Sequence, residues 1–407
     1  MSALTQVFVR VHARYDQDRY ADELEPFAAW LLRAGYPNKS CRRHLYWAQQ
    51  VLHAINVMPG AALEADVLER TFRRLSRRCR SCRHTYTTFA RFLRTVGRLV
   101  EKPTPADPLD AVVGEFCERL TRRRGLAAST VTGYHHWISD FLRRTLPPGR
   151  SLLDLPLTAL ESYIQIRGPK LIRTTLIAAI HCIQEFLLHC YRQGWLPHRL
   201  DQVDLARGFR RELLPRAMPW PLIERLLGSI DRRDRVGRRD HAMLHLMAYY
   251  GLRTSEPTHL TIDSINWQAR TLTVWQPKTR STLVLPLHDV TLSILDDYLK
   301  LARPPSDLPW LFLRGNAPLA QMTQCSASYV FRTRARRSGL PLDSYSAYSL
   351  RHAFAHRLFQ RGVGMKAIGD LMGHRNLVST SVYMRLQSDL LREVALEVPN
   401  HAVGGAV

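Results

Sequence analysis

Nothing in this chain approaches the run of about 18 apolar residues that a membrane helix needs, and no amphipathic lipid anchor stands out. The opening Met1-Ser2-Ala3-Leu4-Thr5 lacks the charged-then-apolar pattern of a secretory leader. Cysteine is sparse and odd in number, seven in 407 residues. That argues against a disulfide framework and for a reducing cytosol, so the expected location is cytoplasmic. Cys79 and Cys82 stand close together with His84 nearby. No second Cys-x-x-Cys follows, and Cys41 and His44 could complete a four-ligand zinc site only by a coincidence of folding. No metal and no other cofactor is expected. Lysine is scarce as well. The 58 basic residues include just Lys39, Lys102, Lys170, Lys278, Lys300 and Lys366 as lysines.

What is abundant is arginine, and with it positive charge. Against 35 acidic residues the formal net charge is +23, which calls for a polyanionic partner. The phosphate lattice of double-stranded DNA fits, because each neutralised phosphate releases counterions. An apolar content of 45% is ordinary for globular proteins, and the length predicts two or three domains.

Proline-rich punctuation divides the chain into blocks. The first covers 1–100 and ends at a linker, 101–108, containing Pro103, Pro105 and Pro108. The second, 109–211, ends near Arg210-Arg211. The third, 212–399, opens at Pro219-Trp220-Pro221, and a small-residue tail, 400–407, closes the chain. The first two blocks share landmarks at one offset: Gly35 with Gly125, Ser40 with Thr130, Trp47 with Trp137, Leu52 with Leu142. Each reads as an amphipathic helix, a glycine turn, a Ser/Thr-capped helix and further helices, hence two all-α bundles in tandem, by duplication or by chance. In the third block Met243, Met247 and Tyr250 mark a buried helix face that ends at Gly251. Alternating runs at 271–275 and 281–285, around the polar turn 276–280, predict a β-hairpin. Helices are expected near 292–301, 326–338, 350–361, 366–372 and 379–386, and Phe331 to Arg337 is the best candidate for a basic helix facing DNA. The expected fold is mainly α with a small β-hairpin in the last domain, an α+β arrangement.

That last block carries five residues in a fixed order. Arg253 lies in Tyr-Gly-Leu-Arg-Thr-Ser-Glu (250–256), Lys278 in Gln-Pro-Lys-Thr-Arg (276–280), Arg351 in Tyr-Ser-Leu-Arg-His (348–352). His374 ends Leu-Met-Gly-His (371–374), and Tyr383 follows nine residues later. In this order and spacing the chain resembles the tyrosine recombinase (phage integrase) family of the mobile-element type. The resemblance covers the third block firmly, and the second block resembles the family's core-binding domain. The first block extends beyond the family's minimal form; extra DNA binding and protein contacts are both compatible with it.

The resemblance implies a site-specific DNA recombinase that cuts and rejoins strands through a 3′-phosphotyrosyl intermediate. Arg253 and Arg351 would hold the non-bridging oxygens of the phosphate, since a guanidinium is planar, bidentate and permanently charged. His374 would add a hydrogen bond, Tyr383 would attack, and Lys278 would protonate the departing 5′-hydroxyl. The phosphotyrosyl bond stores the energy for religation, so no ATP is called for, and cationic side chains take the place of a metal. Glu256 suits an orienting partner of Arg253, although an ordinary helix-surface pair is compatible too. The partners implied are double-stranded DNA and further copies in a homotetramer, with related recombinases as candidate company, for integration, excision or resolution of a mobile element. A C-terminal segment, 390–396, would dock on a neighbouring copy or on its own domain.

One position departs from the family pattern. Tyr348 stands where His or Lys is usual, and a phenol with a pKa of about 10 is a poor base, though it can donate to phosphate. His352 projects about 100° away along the helix and reads as a packing residue. Tyr348 supports an alternative: a catalytically impaired DNA-binding or architectural partner of an active recombinase. A type IB topoisomerase would share the same residues.

Overall fold

The computed structural model describes residues 2–8, 13–76, 80–101, 108–147, 149–203, 217–315 and 317–373. The chain divides into two compact units, one of Met1–Val100 with Leu213–Val407 and one of Glu101–Glu212. Among the described residues no helix is long and apolar enough to cross a membrane.

The N-terminal part of the first unit is a helical bundle: α1 (Ala3–Val7), α2 (Ala13–Asp16), α3 (Ala21–Arg33), α4 (Asn38–Ile55), α5 (Ala65–Ser76) and α6 (Arg80–Thr95). A two-residue parallel pair, β1 (Leu63–Glu64) with β2 (Leu99–Val100), ties its ends and was not foreseen. The second unit holds α7 (Pro108–Arg124), α8 (Ala128–Thr145), α9 (Ala159–Arg167) and α10 (Arg173–Arg192). The matched landmarks occupy matching places. Gly35 and Gly125 both take a positive φ between two helices, and Leu52 and Leu142 are both buried in their bundle's core. The expected Ser/Thr caps are absent. The helices start one turn earlier, at Asn38 and Ala128, after Pro37 and Ala127, which make no side-chain cap, so Ser40 and Thr130 fall inside the first turn.

The C-terminal part of the first unit carries α11 (Trp220–Gly228), α12 (Arg235–Tyr249), the single turn α13 (Glu256–His259) and a three-stranded antiparallel sheet. Its strands are β3 (Ile265–Asn266), β4 (Thr271–Gln276) and β5 (Ser281–Pro286), in the register Gln276↔Ser281 to Thr271↔Pro286. Then come α14 (Asp289–Leu301), α15 (Gln324–Ser338), α16 (Ala347–Gln360) and α17 (Met365–Leu371). Four of the five helices expected here form, each starting one to three residues earlier and ending within one residue of the expectation; the fifth, near 379–386, lies outside the described residues.

α12 is the axis of this part. Residues 240–248 are buried on every face, not only along the Met243–Met247 stripe, because α11, α14, α15 and α16 pack around it. Each large apolar side chain so buried contributes about 1.5–3 kcal/mol. At the C-terminal end of α12, His245 Nε2 shares a hydrogen bond with Thr291 Oγ1 at 2.9 Å, and Tyr250 Oη, just past the helix, donates to the same oxygen at 3.0 Å. Thr323 and Ser346 start α15 and α16 through capping boxes, and α15 stops at Gly339 with φ +66°.

The basic helix expected to face DNA proves to be two-sided. Arg332, Arg336 and Arg337 are exposed, but Arg334 points inward and its Nε and Nη2 both donate to Asp240 Oδ2 at 2.8 Å. Arg239 donates to the other oxygen, Oδ1, at 3.0 and 2.7 Å. A buried carboxylate between two guanidiniums is a structural clamp from α12 to α15. Asp240→Ala, which strands both cations, is expected to cost about 3–5 kcal/mol in denaturant unfolding; a loss below about 1 kcal/mol would mean the clamp is solvated.

Candidate active site

The site is assembled from the ends of elements. α12 finishes at Tyr249, and the chain must turn at once to leave the core. Gly251 makes that turn with φ +64°, and a Cβ there would stand 2.4 Å from the Phe354 ring. Leu252 anchors the turn in the core, and Arg253 emerges beside the start of α13.

Glu256 is the first residue of α13 and is 1% exposed. Its Oε1 accepts from Arg253 Nη1 at 2.6 Å, and its Oε2 accepts from the Arg253 backbone N–H at 2.7 Å. The same Oε2 stands 3.9 Å from Arg351 Nη1. Glu256 therefore orients both arginines, a role the sequence reading held open only for Arg253.

Arg351 comes from the first turns of α16 and is also 1% exposed. Its Nη1 donates to the Gly251 carbonyl, and its Nη2 donates to the Met372 carbonyl at 2.6 Å. Arg253 Nη2 donates to the Gly373 carbonyl at 3.2 Å. Two guanidiniums thus pin the segment that immediately precedes His374. Gly373 has φ +61°, and a Cβ there would lie 1.9 Å from Gln276 Oε1, so glycine is required by conformation and by contact.

Gln276 ends β4. Inward positions alternate Leu272, Val274, Gln276, and the last of these reaches past the core to Gly373. Lys278 is two residues on, exposed in the loop between the strands. The structure thus brings Arg253, Arg351, the turn before His374 and the base of the Lys278 loop to one place. His374 and Tyr383 lie outside the described residues. Gln276 and Gly373 were missed in the sequence; the available signal was a polar residue at an inward strand position.

Tyr348, at 46% exposure, lines a cleft of about 630 Å³ with Thr254, Arg332, Arg336 and Asp343. Its ring meets His352 edge-on at 4.6 Å. Burial, and secondarily the adjacent Arg351, push His352 down to about 4, so the ring is neutral at physiological pH and packs where the sequence reading put it.

In the second unit the first turn of α8, Ser129 and Thr130, is exposed, as are Lys170 and Arg173 before and at the start of α10. Several arginines of this unit are neutralised: Arg122 pairs with Glu118 at 3.2 Å, Arg144 with Asp140 at 2.9 Å, and Arg124 with Glu185. Arg123 and Arg143 are exposed and have no ion pair among the described residues, and Arg210 and Arg211 lie outside them.

Comparison with known proteins gives a consistent picture. The model of the phage integrase family matches residues 222–389. An integrase/recombinase-like protein of Sinorhizobium fredii, y4rA, is 28% identical over 387 residues, covering 93% of this chain and 94% of that protein. A second from the same organism, y4gC, is 36% identical over 168 residues, 41% of this chain and 86% of its own length. Among solved structures, a Tn1549 transposon integrase in complex with circular intermediate DNA superposes with a TM-score of 0.52 at 17% identity, over 67% of this chain and 94% of that one. This last likeness speaks for the fold.

The His352 environment makes a pH test. Its neutral ring stabilises the fold in full above about pH 6.5, its ordinary value, and that contribution is lost as pH falls toward about 4. Denaturant unfolding of the wild type and His352→Phe from pH 7.5 to 4.5 should show the wild type losing roughly 1 kcal/mol per pH unit more than the variant. Parallel curves would mean that the ring is not held neutral.

Proposed function

The chain belongs to the phage integrase family, the tyrosine recombinases, and from that membership we propose that it is a site-specific DNA recombinase working through a 3′-phosphotyrosyl intermediate. The observation that carries the reading is the convergence of Arg253 and Arg351 on one buried carboxylate beside the loop of Lys278. Two cations against one anion leave the pocket positive, as a phosphodiester requires. In this reading Arg253 and Arg351 hold the scissile phosphate, His374 adds a hydrogen bond and Tyr383 is the nucleophile. Lys278 protonates the 5′-oxygen, and Tyr348 donates a hydrogen bond to the phosphate. Electrostatic stabilisation comes from side chains, so the mechanism uses neither ATP nor a metal.

The assignment of parts follows: 1–100 an N-terminal helical domain, 109–211 a core-binding domain, 212–399 the catalytic domain. The working assembly is a homotetramer on two duplexes, exchanging one pair of strands at a time for integration, excision or resolution of a mobile element. The charge of +23 supplies the attraction to DNA.

A second reading has specific support. Arg351 is 1% exposed, with both terminal nitrogens on carbonyls, and Tyr348 replaces the usual His or Lys. Both features suit a DNA-binding partner of an active relative with impaired chemistry.

The deciding experiment is covalent trapping. The protein is incubated with nicked duplexes from the flanks of its own locus, and a denaturation-resistant adduct is sought. An adduct absent with Tyr383→Phe establishes the tyrosine mechanism; sequence-preferring binding without an adduct favours the impaired partner. Relaxation of any supercoiled plasmid, without preference for those flanks, would instead indicate a topoisomerase. On a cleaved flank, Arg253→Lys should slow adduct formation by roughly 10²- to 10³-fold, as loss of a placed donor to the transition state does. Tyr348→His should raise the rate if the phenol is limiting, and an unchanged rate would remove Tyr348 as an argument for impairment.

A further inference from the structure

We propose that Gln276 is the positioning residue of the Lys278 loop, holding its backbone in register with the Gly373 turn; this rests on the reading of Lys278 as general acid. Lys278 is exposed and makes no hydrogen bond or ion pair among the described residues. Its place is therefore set by its backbone, and that backbone is set by Gln276. The Gln276 carbonyl accepts from Thr279 N–H at 3.2 Å, closing the loop. Its side-chain Oε1 accepts from Thr279 Oγ1 at 3.1 Å and from Ser281 Oγ at 3.4 Å, and those two hydroxyls are 2.8 Å apart. One side chain thus fastens both limbs of a four-residue loop, 277–280, from beneath.

The same amide lies against Gly373, where a Cβ would stand 1.9 Å from its Oε1 and 2.5 Å from its carbon and nitrogen. Gln276 is 1% exposed, and its Nε2 has no hydrogen-bond partner among the described residues. A buried amide donor left without an acceptor costs about 1–3 kcal/mol. A strand end with no task beyond packing would carry an apolar residue there, as the two preceding inward positions, Leu272 and Val274, do. The amide is retained because its carbonyl organises the loop while the group abuts Gly373, whose carbonyl is held by Arg253. Loop and phosphate-holding arginine are in this way referenced to the same residue.

The step that Gln276 would serve is balanced as follows. The Tyr383 oxygen bonds to phosphorus, its proton passes to solvent, and the P–O5′ bond breaks. The leaving O5′ keeps the bonding pair and takes a proton from the Lys278 ammonium. With sulfur in place of O5′ the leaving group departs as a thiolate and needs no proton. A defect confined to positioning of the acid should therefore disappear on the sulfur substrate, whereas a defect in fold or phosphate binding should not.

The test uses the full chain and the flank cleaved in the trapping experiment, as phosphodiester and as 5′-bridging phosphorothiolate. Gln276→Met should slow single-turnover cleavage of the phosphodiester about 10- to 100-fold, part of the roughly 10²–10⁴ that a general acid supplies, yet stay within about threefold of wild type on the sulfur substrate. Lys278→Ala should show the same rescue, and Arg253→Lys should be slow on both. Equal slowing of both substrates by Gln276→Met, or of neither, overturns the proposal. If Gln276→Met fails to fold, Thr279→Val combined with Ser281→Ala removes the same two donors and must give the same selective rescue, or the proposal is wrong. Silence of the wild type on both substrates is a different failure: it removes the catalytic reading itself, and the positioning role with it.

Discussion

The site depends on one carboxylate. Glu256 is 1% exposed, and a charge so placed is tolerable only when paired and hydrogen-bonded. It is paired with two guanidiniums from segments 98 positions apart in the sequence, Arg253 after α12 and Arg351 on α16. Each guanidinium also donates to carbonyls: Arg351 to Gly251 and Met372, Arg253 to Gly373. Remove the carboxylate and two cations face each other at the centre of the site. Keep it, and the turn after α12, the start of α16 and the end of α17 close on one another with little freedom left.

Such a cluster needs a rigid base, and α12 is that base. A helix buried around its whole circumference cannot tilt without opening several contacts at once. Its polar side chains are not idle within that burial. His241, His245 and Tyr249 stack along one edge, and His245 reaches α14 through Thr291, which also receives Tyr250. Burial pushes His241 and His245 down to about 4, so they enter the core as neutral rings rather than as charges that would need partners. The end of the helix is thereby fixed, and so is the direction in which Gly251 sends Arg253.

The sequence was most legible where one residue type answers one physical demand. Alternation around a polar turn placed β4 and β5 within a residue at each end, and the arginine, glycine and histidine motifs marked the segments that converge. It was least legible where the demand is set by a distant partner. Nothing local to Arg334 distinguishes it from Arg332 or Arg336; it turns inward because Asp240, on another helix, stands opposite. Ser40 and Thr130 looked like caps because helix starts were read from side-chain chemistry, whereas Pro37 and Ala127 start the helices on backbone geometry alone. Gln276 was invisible for the same reason as Arg334: its meaning lies in Gly373, almost a hundred residues away.

The burial of Arg351 has a consequence for how such a site could act. Its two terminal nitrogens each give a hydrogen to a carbonyl, so a phosphate oxygen that takes one of those hydrogens displaces a carbonyl. The exchange is favourable in principle, since a guanidinium bonds an anionic oxygen more strongly than a neutral carbonyl. It cannot be local, however, because the Met372 carbonyl that would be displaced belongs to the same turn that Arg253 grips through Gly373. Binding of the phosphate and placement of the turn before His374 are then two sides of one equilibrium, and a ligand shifts such an equilibrium only by its differential affinity for the two arrangements. The buried carboxylate makes that coupling short and stiff. Glu256 touches both arginines, so whatever moves one guanidinium is felt by the other.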